Sequence, residues 1–229
     1  MIDAKRFERN FNAISEFGAL KGGGLTRLAF SKEDLEARKF LINLIEKNGF
    51  KLKIDNVGNI YAIYDEGCES DAKPVCVGSH IDSVPNGGFY DGTLGVMAGL
   101  EALTAIKEAG IKLKRPLWLI NFSCEESSRF KTISGKLSQQ RLHELKDEDG
   151  ISLFEAMSAA GFKPQNLDEA ILKENSLHAY LELHIEQGPV LERSGISVGV
   201  VSGIAAPIRF EITIQGKADH SGATPMNMR

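Results

Sequence analysis

VCVGSHIDSVPNGGFYDGTLGVMAGLEALTAIKE, residues 75–108, is the segment from which we predict the fold of this chain. Its first three residues, Val75–Val77, form a short β-rich run that predicts a buried strand. Polar and glycine-rich residues follow, and they predict a loop that begins at His80. The stretch Gly92–Glu108 predicts a helix whose small residues permit close packing on a sheet. A strand, a loop and a helix in this order are the repeating unit of α/β proteins.

The rest of the chain continues this alternation of strands and helices. Helices are predicted around Phe7–Phe17, from Ser31 to Asn48, and over Ser138–Leu145, Ser152–Ala160 and Leu167–Lys173. Strands are predicted over Lys51–Val57, Asn59–Tyr64, Leu117–Phe122, Tyr180–Ile185 and Ser197–Val201. Alternating elements of this kind predict an α/β sandwich with a mixed, largely parallel sheet.

A change of pattern near the end of the chain predicts a domain boundary. The stretch 207–214 alternates apolar and polar residues with a period of two, which indicates a half-exposed strand. The strands before it read as buried. We therefore expect one domain over residues 1–206, followed by a segment, residues 207–229, that is too short to be a domain.

Composition excludes several classes of protein. The chain has 229 residues, 42% of them hydrophobic and 25% charged, with a net charge of −4, so it has no basic footprint for nucleic acid. The three cysteines form no CxxC pair, which argues against disulfides or a zinc knuckle and favours a reducing cytoplasm. We expect no signal peptide and no membrane span.

Chemically versatile side chains follow the predicted strands. His80 and Asp82 come after the strand that starts at Val75, and Glu125 and Glu126 come after Leu117–Phe122. Side chains at the carboxyl ends of strands are placed to form sites in α/β proteins. Imidazole and carboxylate are ligands for divalent transition metals. The alternatives that involve no site are that His80 is a loop histidine beside a turn-forming Asp82, and that Glu125 and Glu126 are solvated surface residues.

Other candidates are weaker when they are read alone. Asp91 precedes a helix, where an ordinary N-cap is a strong competitor for a metal ligand. His184 is equally compatible with a core histidine and a ligand, and His220 alone reads as a polar turn residue. Cys124 is interpreted as a small buried thiol rather than a nucleophile.

Together, these residues stand in five islands that resemble the M20 metallopeptidase/amidohydrolase clan. The chain is similar to its branch of N-carbamoyl-L-amino-acid hydrolases, ureidopropionases and allantoate amidohydrolases. The islands are Gly78–Asp82, Phe89–Gly92, Cys124–Glu126, His184–Gly188 and Ala218–Gly222. The resemblance implies a three-layer sandwich with a phosphorylase/hydrolase-like zinc-exopeptidase core, followed by the start of an α+β lid or dimerisation domain.

The resemblance also implies a role for each candidate. Two divalent ions (zinc, manganese, cobalt or nickel) would be held by His80, Asp91, Glu126 and His184, with Asp91 shared between them. Glu125 would be the general base. Asp82 would not bind metal itself, and its carboxylate would hydrogen-bond the ring nitrogen of His80 that faces away from the metal. Substrate contacts would come from Gln187 and from His220, which would also stabilise the oxyanion.

The activity implied is hydrolysis of a linear amide or ureido C–N bond, most simply that of an N-carbamoyl-L-amino acid to the amino acid, carbon dioxide and ammonia. Allantoate hydrolysis and aminopeptidase activity are alternatives. The partners expected are a small-molecule substrate and a second subunit in a homodimer. Members of the clan run beyond residue 229, where they carry a last metal-binding histidine, so residues 1–206 are expected to be an incomplete catalytic domain and 207–229 a truncated lid. A catalytically inactive fragment or binding module is therefore a further alternative.

Overall fold

A computed structural model describes residues 1–128, 137–204, 210, 212–213 and 215–228 of the chain. It divides into two compact units, Met1–Ile185 and Glu186–Arg229. The predicted assignment of residues 1–206 and 207–229 to two domains stays a prediction. No helix in the described ranges has the length and hydropathy needed to cross a membrane.

The first unit contains the sheet and most of the helices. Its helices are α1 (Ala4–Ser15), α2 (Lys32–Lys47), α3 (Thr93–Glu108), α4 (Glu125–Ser128), α5 (Gln139–Glu144) and α6 (Leu153–Ala159), with a 3₁₀ segment at Pro164–Ala170. Its strands are β1 (Lys51–Ile54), β2 (Ile60–Tyr64), β3 (Val75–His80), β4 (Leu117–Phe122) and β5 (Ala179–Leu181). The second unit contains α7 (Val190–Arg193) and a 3₁₀ turn at Met226–Met228.

The sheet is mixed, as the sequence predicts, but its described ladders are divided equally between parallel and antiparallel rather than being largely parallel. Its five strands lie in the order β1-β2-β4-β3-β5. The ladders that join β3 to β4 and β3 to β5 are parallel, whereas those that join β1 to β2 and β2 to β4 are antiparallel. The helix α3 connects β3 to β4, so the segment quoted first is the βαβ crossover of this sheet. The α/β fold class is thereby confirmed.

The main core lies between the sheet and α1, α2 and α3. It includes Phe11 and Ile14 of α1, Leu41 of α2, Leu100 of α3 and Leu119 of β4. Ser31 caps α2 as predicted, because its side chain accepts a hydrogen bond from the Asp34 amide. The opposite face of the sheet carries a smaller cluster that contains Tyr61, Cys76 and Ile120. This packing fixes the sheet, and with it the strand ends.

A second helical cluster packs beside the end of β4. It joins α5, α6 and the 3₁₀ segment through Leu142, Met157 and Leu167, and it also includes Phe30 and Cys124. The capping box that starts α6 is complete, since Ser152 and Glu155 exchange hydrogen bonds at its first turn. The cluster supports the β4–α4 turn from one side.

The second unit has little regular structure in its described part. The strand predicted over Ser197–Val201 is wrong, because these residues form no strand and pair with no strand among the residues that the structure describes. A strand is stable only when its backbone groups find a ladder partner. In the alternating stretch 207–214, residues 207–209, 211 and 214 lie outside the described residues, so the strand predicted there is not assessed.

Candidate metal centre

His80 is the last residue of β3, and its ring is held by a contact with the loop that follows. The ring Nδ1 lies 2.9 Å from the backbone oxygen of Asp82, and only 2% of the residue is exposed. A neutral imidazole that donates from Nδ1 keeps the lone pair of Nε2 available for a ligand. The sequence-based hypothesis gave this partnership to the Asp82 carboxylate, whose Oδ1 is 3.7 Å from Nδ1. The backbone carbonyl of the same residue takes that place.

Gly92 makes the approach of His80 to α3 possible. A β-carbon at this position would lie 2.4 Å from the His80 ring, and the backbone φ is +60°, a conformation that suits glycine. Gly92 is also the N-cap residue of α3, and it has no side chain with which to cap. The alternative reading of Asp91 as the N-cap is therefore wrong, and its carboxylate points elsewhere.

His184 reaches the same place from the chain that follows β5. The carbonyl of Leu183 lies over α3, where a β-carbon on Gly95 would come within 2.4 Å of it. Glu182, one residue earlier, accepts a hydrogen bond of 2.6 Å from Ser79, which ties this segment to β3. The His184 Nδ1 lies 3.0 Å from the Ile185 carbonyl oxygen, and its Nε2 lies 3.2 Å from Asp91 Oδ1.

Glu125 and Glu126 begin the short helix α4 directly after a sharp turn. Cys124, in that turn, is 3% exposed as predicted and adopts a left-handed backbone with φ of 58°. The Asp82 carboxylate accepts hydrogen bonds from the amides of Glu125 (3.3 Å) and Glu126 (3.1 Å). The Asp82 carboxylate therefore orients the start of α4, whereas the Asp82 backbone carbonyl contacts the His80 ring. Neighbouring residues of a helix point in different directions, so the two glutamates diverge.

The carboxylates of Glu126 and Asp91 face each other. Burial, and then the neighbouring Asp91 carboxylate, raise the pKa of Glu126 above its ordinary value. Burial likewise raises the pKa of Asp82. Two like charges held this close repel each other unless a proton or a cation lies between them. The electrostatics of this group of side chains favour a bound cation.

Two sets of donor atoms converge at this place. His80, Asp91 and His184 form one set, and His80, Glu125 and Glu126 form the other; within each set all donor atoms lie within 4.8 Å of one another. Both histidines turn Nδ1 toward a backbone carbonyl and leave Nε2 for the centre. Mixed imidazole and carboxylate donors suit zinc and related divalent ions. The residues present therefore fit a divalent metal.

A buried polar network supports the β4–α4 turn from below. The Arg38 guanidinium donates hydrogen bonds to Asp34 (2.7 Å), to the Gly58 carbonyl (2.6 Å) and to Ser123 Oγ (2.8 Å). The sequence-based reasoning missed Arg38, although an Asp34–Arg38 pair four residues apart in a predicted helix was a readable signal. The sequence did not indicate how deeply the Arg38 side chain is buried.

Arg27 is a second buried cation near the candidate centre. Its guanidinium is inaccessible to solvent, and burial lowers its pKa to about 10 against the favourable charges of Asp34 and Asp82. Its backbone exchanges hydrogen bonds of 2.9 Å with Ser83, one residue beyond Asp82. Arg27 thus joins the N-terminal segment to the loop that follows His80.

Two predicted site residues belong to the second unit. Gln187 has a left-handed backbone with φ of 56°. His220 is exposed, and its Nδ1 accepts hydrogen bonds from the amides of Gly222 (3.1 Å) and Ala223 (3.0 Å). An imidazole that accepts at Nδ1 carries its proton on Nε2, so His220 is arranged as a donor. The other six candidates, His80, Asp82, Asp91, Glu125, Glu126 and His184, all lie in the first unit.

A mixed α/β sheet whose strand ends gather histidines and carboxylates places the chain among α/β proteins with a candidate divalent-metal site. The chain belongs to peptidase family M20/M25/M40, whose model matches residues 76–228. This confirms the resemblance inferred from the five islands. Membership of the family implies binding of divalent metal.

Known relatives place the chain in the predicted branch. It is 41% identical to an N-carbamoyl-L-amino acid amidohydrolase of Geobacillus stearothermophilus, with 100% of this chain and 57% of the relative aligned. It is 36% identical to an allantoate amidohydrolase of Bacillus subtilis, over 94% of this chain and 53% of the relative. The chain thus spans about half the length of these curated relatives.

A solved structure agrees with the fold. A hydantoinase/carbamoylase family amidase from Burkholderia ambifaria superposes with a TM-score of 0.79 at 33% identity, over 100% of this chain and 56% of the other. The similarity supports the α/β class and the arrangement of the elements along the chain.

Proposed function

We propose that the whole protein is a metal-dependent amidohydrolase that converts N-carbamoyl-L-amino acids to amino acids, carbon dioxide and ammonia. One observation carries the proposal: His80, Asp91 and His184 present ligand atoms within 4.8 Å of one another, beside Glu125 and Glu126. The identity of 41% to an N-carbamoyl-L-amino acid amidohydrolase supports the choice of substrate.

We assign the ligands of two divalent ions to this centre. His80, Asp91 and His184 would hold one ion, and Asp91 with Glu126 would contribute to the other. An ion bound here supplies a Lewis acid for the substrate carbonyl and makes water a better nucleophile near neutral pH. The facing carboxylates of Asp91 and Glu126 support a shared position, because a cation relieves their repulsion. Zinc, manganese, cobalt and nickel all suit these donors.

Glu125 is the general base in this proposal. Its side chain is 37% exposed, so water reaches it, and its Oε2 lies 3.8 Å from His80 Nε2. It accepts a proton from the water whose oxygen attacks the carbamoyl carbon, and it delivers that proton to the nitrogen that leaves as the C–N bond breaks. The carbamic acid produced decomposes to carbon dioxide and ammonia.

The remaining site residues position the catalytic groups or contact the substrate. Asp82 orients the pair of glutamates through their amides. We assign to Gln187 a contact with the substrate, and to His220 a hydrogen bond from Nε2–H to the developing oxyanion. The acceptor role of His220 Nδ1 toward Gly222 and Ala223 supports this tautomer. We further propose a cytoplasmic location, which the scattered free cysteines favour, and a homodimer, which the resemblance to the family suggests.

Allantoate hydrolysis is the second candidate. It is favoured by the identity of 36% to an allantoate amidohydrolase, and it uses the same bond chemistry at the same residues. The two candidates differ only in what surrounds the ureido group.

The test measures metal content and ammonia release in the complete gene product. The panel comprises N-carbamoyl-L-amino acids, allantoate and dipeptides. Hydrolysis of the carbamoyl compounds with bound divalent metal supports the proposal, hydrolysis of allantoate alone selects the second candidate, and hydrolysis of dipeptides alone moves the protein to the peptidases. Metal binding without turnover of any compound would agree with membership of the family and would reject the proposed hydrolase activity.

Three variants separate the roles. Glu125→Gln should retain metal and lose about 10²–10⁴-fold in rate, as expected for loss of a general base. Glu126→Gln and Asp91→Asn should lose metal first, which elemental analysis detects. Glu174→Gln, at an exposed glutamate in a loop, is the matched control and should change neither. Reversal of the Glu125 and Glu126 phenotypes would exchange their roles.

A further inference from the structure

An open cleft of about 710 Å³ begins at the candidate metal centre and lies within the first unit. Glu126 lines the cleft and also belongs to the second set of donor atoms. A volume of this size lies in the range that small-molecule sites occupy, roughly 300–1,000 Å³. A substrate whose reacting bond is at the metal centre therefore has space for a substituent in this cleft.

The walls of the cleft are apolar. They come from three parts of the chain: the segment Leu28–Phe30, Val84 with Pro85, and Leu145 together with helix α6. Leu28 is 40% exposed and Val84 is 41% exposed, so the walls still present apolar surface to water. A ligand that covers this surface gains free energy from the burial of apolar area. The chemistry of the walls selects an aliphatic or aromatic group.

One side of the cleft is acidic. Asp147, Glu148 and Asp149 line it, with Lys146 as the one basic residue among the lining residues described. Two hydrogen bonds brace the turn that carries them, because Asp147 Oδ1 accepts from the amides of Asp149 (3.0 Å) and Ile151 (2.8 Å). This turn places acidic side chains along one edge of the cleft. A site can gain specificity by repelling a ligand of like charge, as well as by making favourable contacts with the preferred ligand.

We propose that this cleft receives the side chain of the amino acid in the N-carbamoyl substrate. It accepts aliphatic and aromatic side chains and rejects acidic ones. The proposal rests on the proposed function, and it adds the substrate class within that function. The α-carboxylate is common to all N-carbamoyl amino acids, so the acidic residues discriminate among side chains only.

The first test fills the cleft. Ala156 lies on α6 in the cleft wall, and Ala159 lies on the same helix outside it and is exposed. In the complete, metal-loaded gene product, Ala156→Trp should lower kcat/KM for N-carbamoyl-L-phenylalanine by about tenfold or more. It should leave N-carbamoylglycine, which has no side chain, within about twofold. Ala159→Trp, the matched control, should alter neither. Ala156→Leu should act in the same direction and serves if the tryptophan variant does not fold.

The second test reverses the charge. Glu148→Lys combined with Asp149→Lys keeps the turn, because only the backbone amide of Asp149 is used in it. This variant should raise kcat/KM for N-carbamoyl-L-aspartate relative to N-carbamoyl-L-leucine by about tenfold. Glu174→Lys, an exposed site that does not line the cleft, should leave that ratio unchanged.

The outcomes separate the two proposals. The cleft assignment is overturned if Ala156→Trp lowers kcat/KM equally for the phenylalanine and glycine compounds, or lowers it for neither. The proposed function stays intact in that case, because the carbamoyl compounds are still hydrolysed. An unchanged aspartate-to-leucine ratio in the double lysine variant removes the acidic selectivity. Absence of turnover on every carbamoyl compound by the unaltered enzyme overturns the proposed function, and the cleft assignment with it.

Discussion

The two units of the chain differ in how they use apolar residues. Met1–Ile185 buries its apolar side chains in three clusters around a five-stranded sheet. In Glu186–Arg229 most of the described apolar side chains face water, as shown by Val200, which is 96% exposed, and Ile204, which is 91% exposed. A site that needs several side chains held within a few ångströms requires a packed support. All six residues of the candidate metal centre lie in the unit that has one.

This contrast makes quantitative predictions, because a substitution in the packed unit and its chemical equivalent in the other unit should differ in effect. A change in the packed first unit is therefore compared with a matched change in the second unit. Equal effects within a pair would remove the contrast.

The largest expected effect comes from Arg38→Met. The substitution removes the guanidinium that is hydrogen-bonded to the buried Asp34 carboxylate, and it leaves the Gly58 carbonyl without its donor. Loss of one partner of a buried ion pair costs about 3–5 kcal/mol in the free energy of unfolding. Arg193→Met, at an exposed arginine of the second unit, should change that free energy by less than about 0.5 kcal/mol. Urea denaturation measures both.

The next effect comes from deletion of core volume. Leu41 is inaccessible in the main core, so Leu41→Ala leaves a cavity and should lower the free energy of unfolding by about 2–5 kcal/mol. Val200→Ala removes methyl groups that are already in water and should cost less than about 0.5 kcal/mol. The same denaturation experiment compares them. A cost for Val200→Ala close to that of Leu41→Ala would show that the second unit packs in solution.

Gly95→Ala tests how the first unit places His184. The added methyl would lie 2.4 Å from the Leu183 carbonyl oxygen, so the segment must move away and take His184 with it. We expect zinc affinity to fall by about 10–100-fold, as it does when the support of a ligand is lost. Competition titration with a chromophoric chelator measures the affinity. Gly203→Ala in the second unit, where an added β-carbon meets no atom within 4 Å, is the control. Unchanged affinity in Gly95→Ala would exclude His184 as a ligand.

The smallest effect concerns the surface pair between α1 and α3. Arg6 Nη2 lies 3.0 Å from Glu108 Oε2, and the hydrogen bond from Arg6 lowers the pKa of Glu108 below its ordinary 4.5. A lowered carboxyl pKa stabilises the fold above the ordinary value, and this stabilisation is lost as the pH falls through the lowered one. Glu108→Gln should therefore reduce stability slightly near neutral pH and make the loss of stability in acid less steep.

Urea denaturation over a series of pH values measures this effect. Glu192→Gln, at an exposed glutamate of the second unit, is the control and should leave the curve unchanged. A Glu108→Gln curve that parallels that of the unaltered protein into acid would show that the Arg6 contact does not form in solution.

Much of the first unit could be predicted from the sequence because its signals are local. The cap at Ser31, the helix that follows Asp91 and the strand before His80 each depend on residues close together in the chain. The failure at Ser197–Val201 has the opposite cause. Its residues favour a strand, but a strand depends on a partner that local sequence does not specify.

The class of fold and the chemistry of the donor atoms follow from the amino-acid sequence alone. Periodicity is set by the geometry of each element, and an imidazole or a carboxylate brings its ligand chemistry wherever it is placed. Which of these groups meet depends on how the chain packs in three dimensions. His184 Nε2 lies 3.2 Å from Asp91 Oδ1 although the two residues are 93 positions apart in the chain. Gly95 makes room for the segment that carries His184, and Gly92 makes room for the His80 ring. Such contacts follow from the packing of the whole sheet against α3, which no short stretch of sequence specifies.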